Sequence, residues 1–180
     1  IAATFEAVFP NAWLAIADFQ PYNPALALVG WRDAAGAPAA GTIAARCREV
    51  SPLGRLREPM LTDVAGVGTF LVGPLSGTLP PGTALMTLDR PWLADHAPRV
   101  QRARPERYFT GAPLVAYLQR VAAGCPDSTL VPHIQRGQQL YEFCEILQRE
   151  GPSRAAAWFE AHVATPLPAA NFAPPQPERL

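Results

Sequence analysis

The chain has 180 residues, 49% of them hydrophobic, with 15 basic and 15 acidic residues and a formal net charge of zero. Its length and hydrophobic fraction suffice for one domain core. The balanced charge creates no overall field that would attract nucleic acid or an anionic membrane surface. No apolar run reaches the roughly 18 residues of a membrane-spanning helix. We therefore expect neither a nucleic-acid partner nor a membrane span in this chain.

The first part of the chain is predicted to combine helices and strands. Ile1, Phe5, Val8 and Phe9 lie at helical spacing and predict an opening helix. No capping residue precedes this helix, so we expect the chain to begin inside a larger polypeptide.

Two short apolar runs follow the opening helix. Residues 12–19 and 25–31 both have the character of strands, and the residues between them, 20–24, are rich in turn formers. Two such runs joined by a short Pro/Asn link predict an antiparallel pair.

Helices are then predicted over 39–50 and 60–72. The second prediction rests on the helical spacing of Leu61, Val64, Val67 and Leu71. Residues 74–82 are predicted to form turns, because glycine and proline are frequent there.

From residue 110 onward the pattern is helical, with helices predicted over 112–122, 133–149 and 154–163. The middle helix has the strongest amphipathic pattern, at three- and four-residue steps, carried by Ile134, Gly137, Leu140, Tyr141, Cys144 and Leu147. Trp158 and Phe159 are expected to face back toward it. Residues 167–180 are too rich in proline to sustain regular structure.

The three cysteines, Cys47, Cys125 and Cys144, are widely spaced and form no C-x-x-C pair. They predict reduced thiols, which favour a cytoplasmic setting. The scattered histidines supply no metal-ligand spacing, and no serine lies in a G-x-S-x-G elbow. The sequence therefore predicts neither a metal site nor a catalytic residue within this chain.

The order of these features resembles bacterial spermidine synthase-like proteins, often fused to a membrane region. The resemblance is carried by the Ile1–Pro10 helix, the strand with Trp13, the run over 25–30, and Leu88-Asp89-Arg90-Pro91 followed by Ala97-Pro98-Arg99. Residues 136–166 are similar to one tetratricopeptide-type helical hairpin, a weak pattern because such repeats need neighbours to bury their faces.

The resemblance implies an α/β fold. Residues 1–109 would be the C-terminal part of a class I methyltransferase-like (Rossmann-type) sheet domain, whose last strands are antiparallel. Residues 110–166 would form a helical tail and 167–180 an extended or disordered end. A larger protein of this kind would lie in the cytoplasm or be membrane-associated through its other regions.

The family's reaction is transfer of an aminopropyl group from decarboxylated S-adenosylmethionine, or a related nucleoside, to a polyamine. Such a nucleoside needs a glycine-rich loop and an acidic residue about twenty positions later. Neither occurs here, so the resemblance places the nucleoside site before Ile1 and predicts that this chain alone is inactive. We also expect the missing N-terminal half, or a partner chain, to cover the sheet edge, the opening helix and Trp13. A homo-oligomer or larger complex is expected.

Two residues are candidates for substrate binding. The resemblance places Tyr22 at the turn between the last two strands, where the family's tyrosine lines the amine pocket. Tyr22 could instead pack against the strand pair. Asp89 could contact a cationic amine, although many relatives have two adjacent aspartates here. Alternatively, Asp89 is a turn residue whose carboxylate accepts hydrogen bonds from nearby backbone N–H groups.

Two functions therefore remain open. The chain could be the C-terminal part of an aminopropyltransferase-like protein. Alternatively, it could belong to a catalytically inactive synthase-like scaffold whose helical tail mediates protein–protein interaction.

Overall fold

The computed structural model describes residues 1–20, 24–33, 37–50, 61–86 and 110–163. Within these ranges the chain forms a three-stranded antiparallel sheet and a set of helices around it. The elements in chain order are α1 (Ala2–Val8), β1 (Asn11–Ile16), β2 (Leu26–Trp31), α2 (Ala40–Val50), α3 (Val64–Phe70), β3 (Leu71–Pro74), α4 (Ala112–Ala122), α5 (Val131–Glu150) and α6 (Pro152–His162). The structure is thus of mixed α/β type.

The sheet has the order β2-β1-β3, and both pairings are antiparallel. β1 pairs with β2 over its whole length, from Asn11 opposite Trp31 to Ile16 opposite Leu26. This confirms the predicted antiparallel pair, with β1 ending three residues earlier than the run over 12–19 indicated. β1 is apolar on both faces because it is the central strand and both of its faces are covered.

The predicted helix over 60–72 is wrong at its C-terminal end. Asp63 caps α3, with its Oδ1 accepting a hydrogen bond from the Gly66 N–H at 2.7 Å. The helix then stops at Phe70, and residues from Leu71 onward pair with β1 as β3. Val72 becomes fully buried in the core. Burial in the sheet therefore overrides the helical spacing of Leu71.

The sheet shares its core with α4 and α5, two of the three C-terminal helices. Its larger cluster of buried residues consists of Ala12, Leu14, Ile16, Val72, Leu75, Leu114, Leu118, Val121 and Tyr141. On the opposite face of β1, Trp13 packs with Leu130 and Ile134. Trp13 is only 3% exposed. The expectation that missing residues or a partner would cover Trp13 is therefore wrong, because residues at the start of α5 cover it.

A close crossing of α3 and α5 attaches the tail to the first part of the chain. A Cβ on Gly137 of α5 would overlap the carbonyl oxygen of Thr69. A Cβ on Gly68 of α3 would lie 2.6 Å from the Cβ of His133. The two helices approach this closely because each has a glycine at the contact.

α1 packs against β2, at the side of the sheet remote from β3. Phe5 and Phe9 stack with ring centroids 4.9 Å apart, and both lie against Gly30. Around them, Val8 is 60% exposed, and Leu26 and Val29 are each 38% exposed. In the part of the chain that the structure describes, β2 is an edge strand, with apolar side chains reaching solvent beside it.

Candidate functional site

The two substrate-binding residues suggested by the sequence, Tyr22 and Asp89, both lie outside the described residues. The structure does describe the residues on either side of the connection that carries Tyr22. The backbone N–H groups of Ala17 and Asp18 donate to the carbonyl of Ala25 at 2.7 and 3.2 Å. This connection therefore leaves the sheet at the C-terminal end of β1. Tyr22 and Asp89 stay predictions.

Cys125 and Cys144 show no sign of activation. Burial raises the pKa of the Cys144 thiol, and the charge of Asp18 raises it further. Burial also raises the pKa of Cys125, and this effect exceeds the lowering of the pKa by the hydrogen bond with the backbone of Asp127. Both thiols are therefore protonated near neutral pH. Among the described residues, no three His, Cys, Asp or Glu side chains are grouped so as to hold a metal ion.

A concave surface lies on the three C-terminal helices. α5 forms its floor, and α4 and α6 form its walls. One cavity of about 530 Å³ lies over the first part of α5, and another of about 350 Å³ lies over its second part. Gln119, Glu142 and Trp158 line both cavities, so the two open cavities adjoin at these side chains. We call this surface the α5 trough.

Polar side chains along α5 connect the floor of the trough to its walls. Gln138 donates from Nε2 to the carbonyl of Leu118 on α4 at 3.0 Å. Gln139 donates to the carbonyl of His162 at the end of α6 at 3.2 Å. Gln119 and Gln135 also line the trough, and their side-chain amides make no hydrogen bond to another described residue. The trough is thus rich in amide groups, and two of them, Gln119 on the α4 wall and Gln135 on the floor, are available to a ligand.

The α6 wall presents an aromatic pair, Trp158 and His162. The two rings stack with centroids 4.8 Å apart and planes inclined by 12°. The Nδ1 atom of His162 lies 2.8 Å from the carbonyl oxygen of Trp158. Because a carbonyl oxygen only accepts, Nδ1 carries the hydrogen of this bond, which holds the imidazole in place beside the indole.

Glu142 is the one carboxylate of the trough that makes no hydrogen bond or salt bridge to a described residue. Glu145 pairs with Arg149 at 2.9 Å, and Glu150 pairs with Arg154 at 3.3 Å. Burial raises the pKa of Glu142, an effect opposed by the charge of His162 and reinforced by that of Glu145. The trough therefore holds one partly buried negative charge that the described residues do not neutralise by a direct contact.

Sequence reasoning missed this site. The prediction for α5 rested on its apolar stripe. A polar stripe lies beside it, formed by Gln135, Gln138, Gln139 and Glu142 at steps of three, one and three residues. That stripe was the available signal. Phe159 was predicted to face α5, and its ring does contact Phe143 there, at 5.6 Å between centroids.

The carboxylate with the most hydrogen bonds in this part of the structure has a structural role. Asp127 accepts from the hydroxyl and the N–H of Thr129, just ahead of α5. Its other oxygen accepts from the N–H of Ala40, at the start of α2, at 2.8 Å. These bonds, led by that of the Thr129 hydroxyl, lower the pKa of Asp127.

Comparison of the chain with family models, with curated proteins and with solved structures found no match. Across the ranges described above, no helix combines the length and the apolar character required to cross a membrane. The function therefore has to be argued from the residues and the geometry.

Proposed function

We propose that this chain is the C-terminal part of a spermidine synthase-like protein that transfers an aminopropyl group to a polyamine. The observation that supports this best is the antiparallel β1–β2 pair, which directly follows α1. Helix, strand, turn and strand in this order are what the resemblance led us to expect at the end of a class I methyltransferase-like sheet. The resemblance also favours a protein that is cytoplasmic, or membrane-associated through other regions.

The edge at β2 supports the same proposal. Long edge strands with apolar side chains are usually paired or covered, because they otherwise recruit other chains. β2 has six residues, and Leu26, Val29 and Val8 of α1 lie exposed around it. We propose that the parallel strands of the sheet continue from this edge. They would be supplied by sequence before Ile1 or by a partner chain, within a homo-oligomer or a larger complex.

In this proposal the chain contributes to amine binding and contains no catalytic residue. The β1–β2 connection would present Tyr22 to the amine, and Asp89 would offer one carboxylate to its positive charge. Decarboxylated S-adenosylmethionine, or a related nucleoside, would bind to residues outside this chain. The isolated chain would then be inactive.

A second function is favoured by the α5 trough. In a synthase-like scaffold without catalysis, the helical tail would bind another protein. The trough lies on α4, α5 and α6, and its described lining residues all belong to the helical tail. It can therefore serve an interaction whether or not the synthase-like part is active.

Binding measurements on a polypeptide that includes the sequence before Ile1 test the first function. We expect calorimetry to show binding of methylthioadenosine. Tyr22→Ala should weaken amine binding about tenfold while nucleoside binding is unchanged, because the ring would contact only the amine. Tyr22→Phe is the matched control, since it keeps the ring and removes only the hydroxyl group.

Two results would contradict the proposed aminopropyltransferase function or the proposed role of Tyr22 in it. Absence of nucleoside binding by the longer polypeptide would remove the aminopropyltransferase proposal. Equal loss of nucleoside and amine binding in Tyr22→Ala would show that Tyr22 only packs against the strand pair.

A further inference from the structure

The α5 trough has the length of a peptide site. It follows α5 from Val131 to Glu150, which corresponds to about 28 Å at the rise of an α-helix. A small molecule would fill only one of the two adjoining cavities. An extended chain advances about 3.3 Å per residue, so eight or nine residues would span it.

The polar lining of the trough suits an extended backbone better than a helix. A side-chain amide offers both a donor and an acceptor, the two groups that an extended backbone leaves free. A helix has already used those groups internally and docks through an apolar stripe. Gln119 and Gln135, whose amides make no hydrogen bond to the described residues, are placed to bind such a backbone.

The charge of the trough selects for a cation. Glu145 and Glu150 are paired with arginines, whereas Glu142 has no such partner among the described residues. It lies midway along α5 and lines both cavities together with Trp158. A lysine or arginine of a ligand would neutralise this carboxylate, and its aliphatic stem would pack on the indole of Trp158.

We propose that the α5 trough binds an extended peptide segment of another protein, with a basic side chain of that segment placed between Glu142 and Trp158. This inference deepens the second of the two functions above and rests on it. It does not depend on nucleoside binding, so the two proposals can fail separately.

The test uses the 180-residue chain and a displayed library of random nine-residue peptides. We expect the selected peptides to share a lysine or arginine at one position. Binding of a selected peptide, measured by calorimetry, should weaken about tenfold in Glu142→Gln and in Trp158→Ala. Glu160→Gln, which removes an exposed carboxylate of α6 outside the trough, should bind like the unaltered chain.

Folding of the variants is followed by thermal unfolding. Glu142→Gln should melt no lower than the unaltered chain, because it removes a charge that burial disfavours. Selected peptides without a common basic residue, or equal binding by Glu142→Gln and Glu160→Gln, would overturn the proposal. A gain of tenfold or more on deletion of residues 164–180 would also overturn it, because the chain's own end would then be the occupant.

Discussion

At the scale of the single residue, Asp127 stabilises the start of two helices that are far apart in sequence. Its carboxylate accepts hydrogen bonds from Thr129, ahead of α5, and from the backbone of Ala40 in α2. Asp127 and Ala40 are 87 positions apart. Contacts of this separation are set by the tertiary fold and cannot be derived from local sequence patterns.

The lowered pKa of Asp127 predicts a pH dependence of stability. Because the folded-state pKa lies below the unfolded value of about 3.9, the contribution is complete above that value and is lost as the pH falls through the folded pKa. We expect Asp127→Asn to lower the Tm at pH 7 and to reduce the loss of stability as the pH falls below about 4. Thermal unfolding followed by circular dichroism over this range measures both effects.

The control for Asp127→Asn is Glu160→Gln, which removes a carboxylate that is exposed on α6. It should follow the Tm of the unaltered chain at every pH. If Asp127→Asn did the same, the hydrogen bonds to Thr129 and Ala40 would not contribute to stability.

At the scale of the helix and strand, local patterns predicted most elements. They failed where tertiary packing determines whether a segment is a helix or a strand. The helix over 112–122 was predicted at its observed bounds, and the β1–β2 pair was predicted with its direction. The strand β3 was missed, because Leu71 and Val72 continue the apolar spacing of α3. Only the presence of β1 beside them makes the extended conformation favourable, and a local pattern carries no information about that neighbour.

The crossing of α3 and α5 provides a test by paired glycine substitutions. Gly137→Ala would introduce a methyl group into the Thr69 backbone, so the helices must separate. We expect a loss of about 2 kcal/mol in the free energy of unfolding, typical of overpacking. Gly41→Ala in α2 is the matched control, because a Cβ there meets nothing within 4 Å. It should stabilise the chain by up to about 1 kcal/mol.

Urea denaturation of the two variants measures these changes. Gly41→Ala shows what the substitution does to a helix by itself, so the difference between the two variants isolates the close approach at Gly137. A stabilised Gly137→Ala would mean that α3 and α5 do not cross at this distance.

At the scale of the whole molecule, the sequence predicted a sheet region and a helical tail but not their common core. Tyr141 and Ile134 of α5 lie in the two clusters on opposite faces of β1. Their helical spacing predicted that one face of α5 is buried. It did not predict which element covers that face, because an amphipathic pattern carries no information about the neighbour. For the same reason Trp13 was expected to need a covering chain, although α5 provides the cover. Tyr22 and Asp89 lie outside the described residues, so the fold neither supports nor contradicts their predicted roles.

The exposed edge at β2 predicts that the chain self-associates. Since Trp13 is covered from within, four of the six large apolar side chains that the described ranges leave exposed lie in or beside α1 and β2. Val29 is in the middle of this edge strand and is 38% exposed. A lysine there would place a charge on the edge and oppose pairing with another strand. We expect the 180-residue chain to self-associate and Val29→Lys to shift it toward monomer, as measured by sedimentation equilibrium.

Ala161→Lys is the matched control for Val29→Lys, because it adds the same charge at an exposed position of α6, away from the sheet. It should associate like the unaltered chain, which separates an effect of the β2 edge from a general effect of added charge. Thermal unfolding of Val29→Lys at low concentration must show a folded monomer, since Val29 is also partly buried. If the unaltered chain were a stable monomer with a cooperative melt, the edge would need no further strand, and the proposal that the sheet continues from β2 would be wrong.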